Sequence, residues 1–453
     1  MGPSSSETVP PGASAVSGML TGSPGAPGMS ALTADSPGAA VGPAAGERSS
    51  VRRRQVFYIA GFDPQGPSHY HRLHAEEAPR QARVAGYAMN VGPRRRVSDI
   101  ASGWRVDGEF EDGAAAVASQ LEFLRWDDIV RAHWPRARWR VMLGALASTI
   151  HQVRNGVLWR VLKTSWPAFV VLALPPALVA LLLAWAGVTV VACAALLSRG
   201  WALPAVVAAG TSGLAWWGFA AWAEAKVQMA WLMRSTRFIL RQARGDAPDL
   251  ERRLDQCAER IAQACREPEW DEVLVVGHSS GAMLAVSAVA RTLSRLDAAG
   301  ASAARPALLT LGECIPMLSY QPEAAAFRQE LAALATAGDL TWIDVTAPPD
   351  GCCFALVDPT AAARAGHPHP SAAWRSPKLL SARFAQMFSP AAYARLRRDR
   401  HRCHFQYLQA AERVTDYDYF AITGGPIRLR DRFASHRSVD NFRQFQLFGG
   451  PSR

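Results

Sequence analysis

The spacing of apolar residues along the chain predicts strands alternating with helices, as in an α/β protein. Residues 273–276 are four consecutive apolar residues, three of them valines, which is typical of a parallel strand buried on both faces. Residues 282–295 follow as an apolar helix. Other strands are predicted at 55–60, 120–126, 340–345 and 417–423, with two short ones within 87–109. Other helices are predicted at 70–85, from Asp127 onward, and over 224–266.

Residues 166–223 have a different pattern, because Arg199 is their one charged residue. The segment divides into two apolar runs, 166–186 and 201–223. Each run is long enough to cross a hydrocarbon core of ~30 Å at ~1.5 Å per residue. Tryptophans lie near the proposed ends, as in an aromatic belt. We therefore predict a transmembrane hairpin, the alternative being a buried pair of helices in a lid.

Three details refine the hairpin. Pro175 and Pro176 would kink the first helix, and Gly210, Ser212 and Gly213 would give the second a close-packing face. Basic residues flank the pair on both sides: Arg154, Arg160, Lys163, Lys226, Arg234, Arg237 and Arg241. The positive-inside rule then predicts an inner-membrane protein with two spans, whose termini and catalytic part are cytoplasmic.

Composition narrows the function classes. Residues 1–50 are rich in Pro, Gly, Ser and Ala and predict a disordered tail without the pattern of a secretory signal. The net charge is +11, but the arginines are dispersed, so nucleic-acid binding is not expected. The seven cysteines lack a zinc-like spacing or a disulfide framework, which agrees with a reducing cytoplasm.

The most informative motif is Gly277-His278-Ser279-Ser280-Gly281, which lies between the strand at 273–276 and the helix at 282–295. A sharp strand–Ser–helix turn needs glycine at both ends, because a Cβ there would clash as strand and helix approach. Such a turn raises the serine hydroxyl above the sheet at a helix N-terminus, where developing negative charge is favoured. The motif therefore predicts a nucleophile elbow, against the alternative of a structural turn.

In this strand–turn–helix the chain resembles the α/β-hydrolase superfamily, over residues 51–150 and 235–453, although no subfamily can be assigned. The resemblance implies a mostly parallel sheet with helices on both faces. It divides the hydrolase core into two parts, 51–150 and 235–453, with the hairpin at 166–223 inserted between them. It also implies a Ser–His–acid triad in the chain order serine, acid, histidine.

Two residues complete the triad that the resemblance implies. Asp350 follows the predicted strand 340–345, where the superfamily carries its acid, although Pro-Pro-Asp-Gly also suits a simple turn. His436 follows the predicted last strand 417–423 and is the expected base. His404 precedes that strand and is the alternative, with a structural role expected. His278 adjoins the serine but should point away from it.

The remaining site predictions concern the oxyanion hole and metals. The backbone N–H groups of Phe62 and Ser280 are the expected oxyanion donors. Two histidine groups lack partners at zinc-like spacing, so no metal or cofactor is expected: His69, His71 and His74, and His367 and His369. The sequence thus predicts a membrane-anchored serine hydrolase for an ester or thioester of an apolar, lipid-like compound. The alternative is a non-catalytic membrane scaffold that retains the fold.

Overall fold

The order of strands and helices follows the apolar pattern over most of the chain. The computed structural model describes residues 50–110, 116–300, 303–366 and 374–447. The predicted tail, except for Ser50, lies outside the described residues, as do His367 and His369. The strands are β1 Arg53–Ile59, β2 Tyr87–Val91, β3 Arg95–Arg96, β4 Ala101–Phe110, β5 Val117–Leu124, β6 Glu272–His278, β7 Ala307–Leu311, β8 Trp342–Thr346 and β9 Lys378–Ser381.

Helices fill the connections between these strands. They are α1 Pro67–Ala85, α2 Asp127–Ala132, α3 Arg138–Arg154, α4 Val157–Thr164, α5 Trp166–Ser198, α6 Ala202–Val227, α7 Met229–Ala243, α8 Pro248–Arg266, α9 Gly281–Ala298, α10 Ile315–Ser319, α11 Ala325–Thr336, α12 Ala361–Ala365, α13 Phe384–Met387, α14 Pro390–Arg398, α15 Arg400–Phe405, α16 Tyr419–Gly424 and α17 Leu429–Arg432. A short 3₁₀ turn, Gln406–Leu408, follows α15.

The strands form one mixed sheet in the order β2-β4-β5-β1-β6-β7-β8-β9, with β3 paired to β4. Six adjacent strands, β5-β1-β6-β7-β8-β9, are parallel to one another. At one edge, β4 pairs antiparallel with both β5 and β2. In β6, Val273 and Val275 pack into one buried cluster, while Leu274 and Val276 pack into another on the opposite face. Helices therefore cover both faces of a mostly parallel sheet, and the predicted α/β class is confirmed at that level.

The prediction of a last strand at 417–423 is wrong, because these residues form α16. The Asp418 carboxylate accepts hydrogen bonds from the backbone N–H groups of Phe420 and Ala421, at 3.0 Å each, and so caps a helix. Every residue of α16 is buried, so its sequence shows no alternation of apolar and polar residues. Its aromatic and β-branched side chains have the composition of a strand, which explains the wrong prediction. The last strand is instead β9, only four residues long, which pairs with β8.

The insertion between β5 and β6 contains the two apolar helices that the sequence predicts. Both α5 and α6 are long and apolar enough to cross a membrane, and only 11% and 6% of their most apolar windows are buried. The helix α5 contains Pro175 and Pro176 and continues to Ser198, beyond its predicted end at 186. The Ser212 hydroxyl accepts a 3.0 Å hydrogen bond from the Trp185 indole, which pairs polar groups between the helices.

The predicted close-packing face of α6 is only partly observed. A Cβ added at Gly210 or Gly213 would meet nothing within 4 Å, so these glycines do not bring the two helices together. Ser212 does lie between the helices, where its hydroxyl contacts that of Thr189 at 2.7 Å. At the other end of the pair, α3 and α7 pack against α5 and α6 in a small apolar cluster. The pair is thereby joined to the rest of the protein by helices that are themselves partly buried.

Candidate active site

Ser279 lies at the turn between β6 and α9, as predicted, and its backbone has φ = +58°, in the left-handed region. A Cβ at Gly277 would lie 2.7 Å from the Ala282 Cα, and one at Gly281 would lie 2.3 Å from the Ile59 carbonyl oxygen. Both glycines are thus required by the close approach of helix and strand. A non-glycine residue held at positive φ stores strain, and such strain is concentrated at functional sites.

Asp350 and His404 form a buried pair at the same edge of the sheet. The Nδ1 atom of His404 lies 2.8 Å from Oδ2 of Asp350, and each residue is 2% exposed. Asp350 follows β8, and His404 follows β9, the last strand. The carboxyl ends of the parallel strands β6, β8 and β9 therefore carry serine, acid and histidine in that chain order.

The surroundings of Asp350 favour its ionised form. Burial by itself would raise the pKa of Asp350, but the charge and hydrogen bond of His404 outweigh it and lower that pKa. The backbone N–H of Cys352 donates to Oδ1 at 3.0 Å, and the Tyr407 hydroxyl donates to Oδ2 at 3.1 Å. An anionic Asp350 fixes the His404 proton on Nδ1. The Nε2 atom is buried and has no hydrogen-bond partner among the described residues, so it can act as a base.

The structure does not bring His436 to Asp350, in contrast to the sequence prediction that His436 is the base beside this acid. His436 follows α17 and forms an ion pair with Asp416, Nε2 to Oδ2 3.4 Å, in which the two side chains are 32% and 68% exposed. The difference has a specific origin. The sequence predicts a last strand at 417–423, and His404 precedes that segment, whereas the last strand of the structure is β9, which His404 follows. A four-residue strand gives too weak a signal to be predicted from the sequence.

His278 also lies in this buried group, where it contacts His404. Its Nε2 atom lies 2.9 Å from the backbone carbonyl oxygen of His404, and the two ring centroids are 4.9 Å apart. Burial lowers the pKa of His278 to about 3, so it is neutral and donates to that carbonyl. His278 therefore joins the turn that carries Ser279 to the segment that carries His404.

The two predicted oxyanion donors lie side by side, but one of them is engaged. The Phe62 N–H donates to the Ser280 hydroxyl at 2.7 Å. A Cβ built on Gly61, the preceding residue, would lie 3.3 Å from Ser279 Oγ, so this loop passes directly beside the nucleophile. The Phe62 carbonyl accepts a 2.8 Å hydrogen bond from the indole of Trp231 in α7. The loop is thus held both by the elbow and by the helix that follows α6.

A group of buried acidic side chains lies close to Ser279, and no pattern in the sequence predicts it. Cys314 forms a side-chain hydrogen bond with Ser279, and burial raises the pKa of its thiol. The neighbouring Glu313 carboxyl is fully buried, and its pKa is raised well above the usual value by burial and by Asp344. Burial raises the pKa of Asp344 to about 7. These carboxyls are therefore largely protonated in mildly acidic solution and add little negative charge beside Ser279.

A cavity of about 340 Å³ opens beside His404. Cys352 and His401 line it on the side of the sheet. The opposite wall comes from the apolar pair and from α7, through residues that include Val171, Val227, Trp231 and Leu232. Arg398, Asp399 and Arg400 complete the lining, so the cavity has an apolar wall and a polar, mainly basic rim.

The same residues are the strongest candidates for a metal site in the described part of the chain. One ligand atom each from Asp350, Cys352 and His404 lie within 4.8 Å of one another. Asp350 and His404 are already hydrogen-bonded, which is the arrangement expected of a triad. His71 instead bonds the Gly92 carbonyl and His74 packs among aromatic rings, so neither faces a common ligand.

Comparisons of the chain with protein-family models, curated proteins and solved structures find no match. The family assignment and the function consequently depend on the geometry of the site.

Proposed function

We propose that this protein is a membrane-anchored serine hydrolase of α/β-hydrolase fold, with Ser279 as nucleophile, His404 as base and Asp350 as orienting acid. The observation that carries the proposal is the buried Asp350–His404 pair at the sheet edge where Ser279 occupies a strained turn. A strained serine, an ionised carboxylate and an unpartnered imidazole nitrogen, located after β6, β8 and β9 respectively, are the parts of a nucleophilic acyl-transfer site.

The mechanism follows from the tautomer that Asp350 selects. His404 Nε2 takes the proton from Ser279 Oγ, which attacks the carbonyl carbon of an ester and forms a tetrahedral oxyanion. The imidazolium then gives that proton to the leaving oxygen, and the acyl group remains on Ser279. Water, deprotonated by His404, attacks the acyl carbon and releases the carboxylic acid and free Ser279.

The oxyanion needs two N–H donors, for which Ser280 and Phe62 are proposed. The Ser280 hydroxyl must turn away from the Phe62 N–H before that donor can reach the substrate. Such a rotation exchanges one hydrogen bond for a stronger, charge-assisted one once the oxyanion forms. Substrate binding and completion of the oxyanion hole would therefore be linked through a single side-chain torsion.

The cavity beside His404 favours an amphiphilic substrate. Its apolar wall comes from residues at the base of α5, α6 and α7, whereas its rim carries Arg398 and Arg400. An acyl chain can lie against the apolar wall while the polar part of an ester or thioester stays at the rim. We propose that α5 and α6 span the inner membrane, with both termini and the catalytic part in the cytoplasm, so that the cavity opens near the bilayer surface.

Labelling with a fluorophosphonate probe tests the proposal. The full chain in non-ionic detergent should be labelled, and Ser279→Ala should not be. Ser294→Ala is the matched control because Ser294 is an exposed serine on α9, the helix that follows Ser279. Unchanged labelling of Ser279→Ala would show that another residue reacts and would remove the elbow from the mechanism.

One observation favours a second candidate, a non-catalytic scaffold with this fold. The Phe62 N–H is satisfied by Ser280, so the oxyanion hole is closed in this conformation. A scaffold would neither label with fluorophosphonate nor hydrolyse p-nitrophenyl esters of any chain length. The same experiment therefore separates the two functions.

A further inference from the structure

A second cleft, of about 770 Å³, lies between the segment after α2, the start of α3 and α7. Its lining is dominated by six arginines: Arg131, Arg136, Arg140, Arg234, Arg237 and Arg241. His133, Trp134 and Phe238 also contribute to its walls, and the lining contains no aspartate or glutamate among the described residues. We call this feature the arginine cleft. It does not include Ser279, Asp350 or His404.

Most of these arginines have no carboxylate partner within the described residues. Arg131 is paired with Asp127, whereas the acceptors of Arg234, Arg237 and Arg241 are neutral. Arg234 donates to the Pro135 carbonyl at 3.1 Å, and Arg241 lies 2.7 Å from Nδ1 of His133. Several arginines elsewhere in the described residues are paired with carboxylates: Arg253 with Asp128, Arg260 with Glu122, and Arg291 with Glu251 and Glu330.

Unpaired guanidinium groups this close together repel one another, and a multivalent anion would offset that repulsion. Burial lowers the pKa of Arg234, and the negative charge of Glu224 offsets that effect only in part, so this cation is partly removed from water without full compensation. Its guanidinium also lies over the Trp134 ring, 4.6 Å from the centroid, which fixes its plane toward the cleft walls. Planar, pre-oriented guanidinium groups suit the tetrahedral oxygens of phosphate.

The neighbouring surface identifies where such a phosphate would come from. On α3, Trp139, Leu143, Ile150 and Val153 are 57–60% exposed, and their spacing places them on one side of the helix. The other side of α3 packs on α5, α6 and α7. An exposed apolar face beside basic residues is typical of a helix that lies in a membrane interface. Because α3 packs directly against α5 and α6, the helices proposed to span the membrane, the bilayer is the occupant that this face fits.

We propose that the arginine cleft binds the headgroup of an anionic phospholipid with two phosphates, such as diphosphatidylglycerol, while α3 lies in the bilayer interface. The inference rests on the proposed membrane anchorage but not on catalysis. Two phosphodiesters supply two charges at a fixed separation, which several unpaired arginines can contact together. A basic pocket at the cytoplasmic end of membrane helices is the usual site for such headgroups.

The test uses the full chain in non-ionic detergent, titrated with diphosphatidylglycerol and followed by tryptophan fluorescence. The triple variant Arg136→Gln/Arg140→Gln/Arg237→Gln should weaken binding by at least about tenfold, because several charge-assisted bonds are lost. The control Arg94→Gln/Arg95→Gln/Arg96→Gln removes the same charge from the exposed segment at β3 and should change binding less than about twofold. Phosphatidylcholine should bind neither protein measurably.

Further arms separate the possible outcomes. Inorganic pyrophosphate should bind at least about tenfold more weakly than the lipid, because α3 contributes only to a bilayer-derived ligand. Equal binding of pyrophosphate would overturn the lipid source, and equal losses in the two triple variants would overturn the site. If the cleft variant does not fold, the single variant Arg136→Gln replaces it, with an expected loss of at least about threefold. Fluorophosphonate labelling of the same samples reports on catalysis independently of lipid binding.

Discussion

Replacement of two histidines distinguishes the proposed base from the one that the sequence first indicates. His404→Ala should reduce kcat for p-nitrophenyl butyrate by about 10⁴- to 10⁶-fold, since the proton acceptor of the serine is lost. At ~1.36 kcal/mol per decade this corresponds to about 5–8 kcal/mol of transition-state stabilisation. The structural basis is the 2.8 Å bond to Asp350 and the near-complete burial of both side chains.

His436→Ala should leave kcat within about twofold of wild type. Its ion pair with Asp416 is largely exposed, and such pairs contribute roughly 0–1 kcal/mol to stability. The assay compares purified variants in the same detergent, with circular dichroism to establish that both fold. A large loss of kcat in His436→Ala together with near-normal activity in His404→Ala would refute the assignment of the base.

Three other predictions concern the rest of the molecule. Burial raises the pKa of Asp344 from 3.8 to about 7, so the folded state loses relative stability as the pH rises from about 4 to about 7. Asp344→Asn should therefore unfold at a higher temperature than wild type at pH 8, with the difference shrinking toward pH 4; equal differences at both pH values would contradict the argument. Gly281→Ala should fail to fold, because its Cβ would lie 2.3 Å from a carbonyl oxygen of β1. Gly213→Ala, with open space around it, should be tolerated. A folded, active Gly281→Ala variant would disprove the close approach. The protein should stay in the membrane pellet in high salt and at alkaline pH. A cysteine placed at Ser198 should react with an impermeant thiol reagent outside the cell, whereas one placed at Ser50 should not. The opposite labelling would invert the topology.

The elements that the sequence predicted best are those with long, consistent patterns. The strand at 273–276, the Gly-x-Ser-x-Gly turn and the apolar pair each have a pattern with few structural solutions. Two glycines at the turn indicate that the backbones of strand and helix approach closely. The short distances from an added Cβ at Gly277 and Gly281 confirm this close approach. Asp350 could also be located, because the residues of β8 form a recognisable strand before it.

The proposed base, His404, could not be predicted in this way, for a physical reason. The strand β9 has four residues, two of them only partly buried, so it carries almost no periodic signal. The residues of α16 are aromatic and β-branched, and their burial on all sides depends on tertiary packing that composition does not report. His404 also lies on a short helix with two arginines, Arg400–Phe405, and the burial of His404 arises only when this helix packs over the sheet.

The structure also connects the apolar helices to the chemistry in a way that the sequence could not indicate. Trp231, four residues beyond the end of α6, donates to the carbonyl of Phe62, and the Phe62 N–H donates to Ser280 beside the nucleophile. Trp231 also lines the cavity at His404. A shift of α7 relative to the sheet would therefore change the loop beside Ser279 and the cavity wall together. Because α7 follows directly from α6, the position of the apolar pair and the geometry of the loop beside Ser279 are mechanically linked.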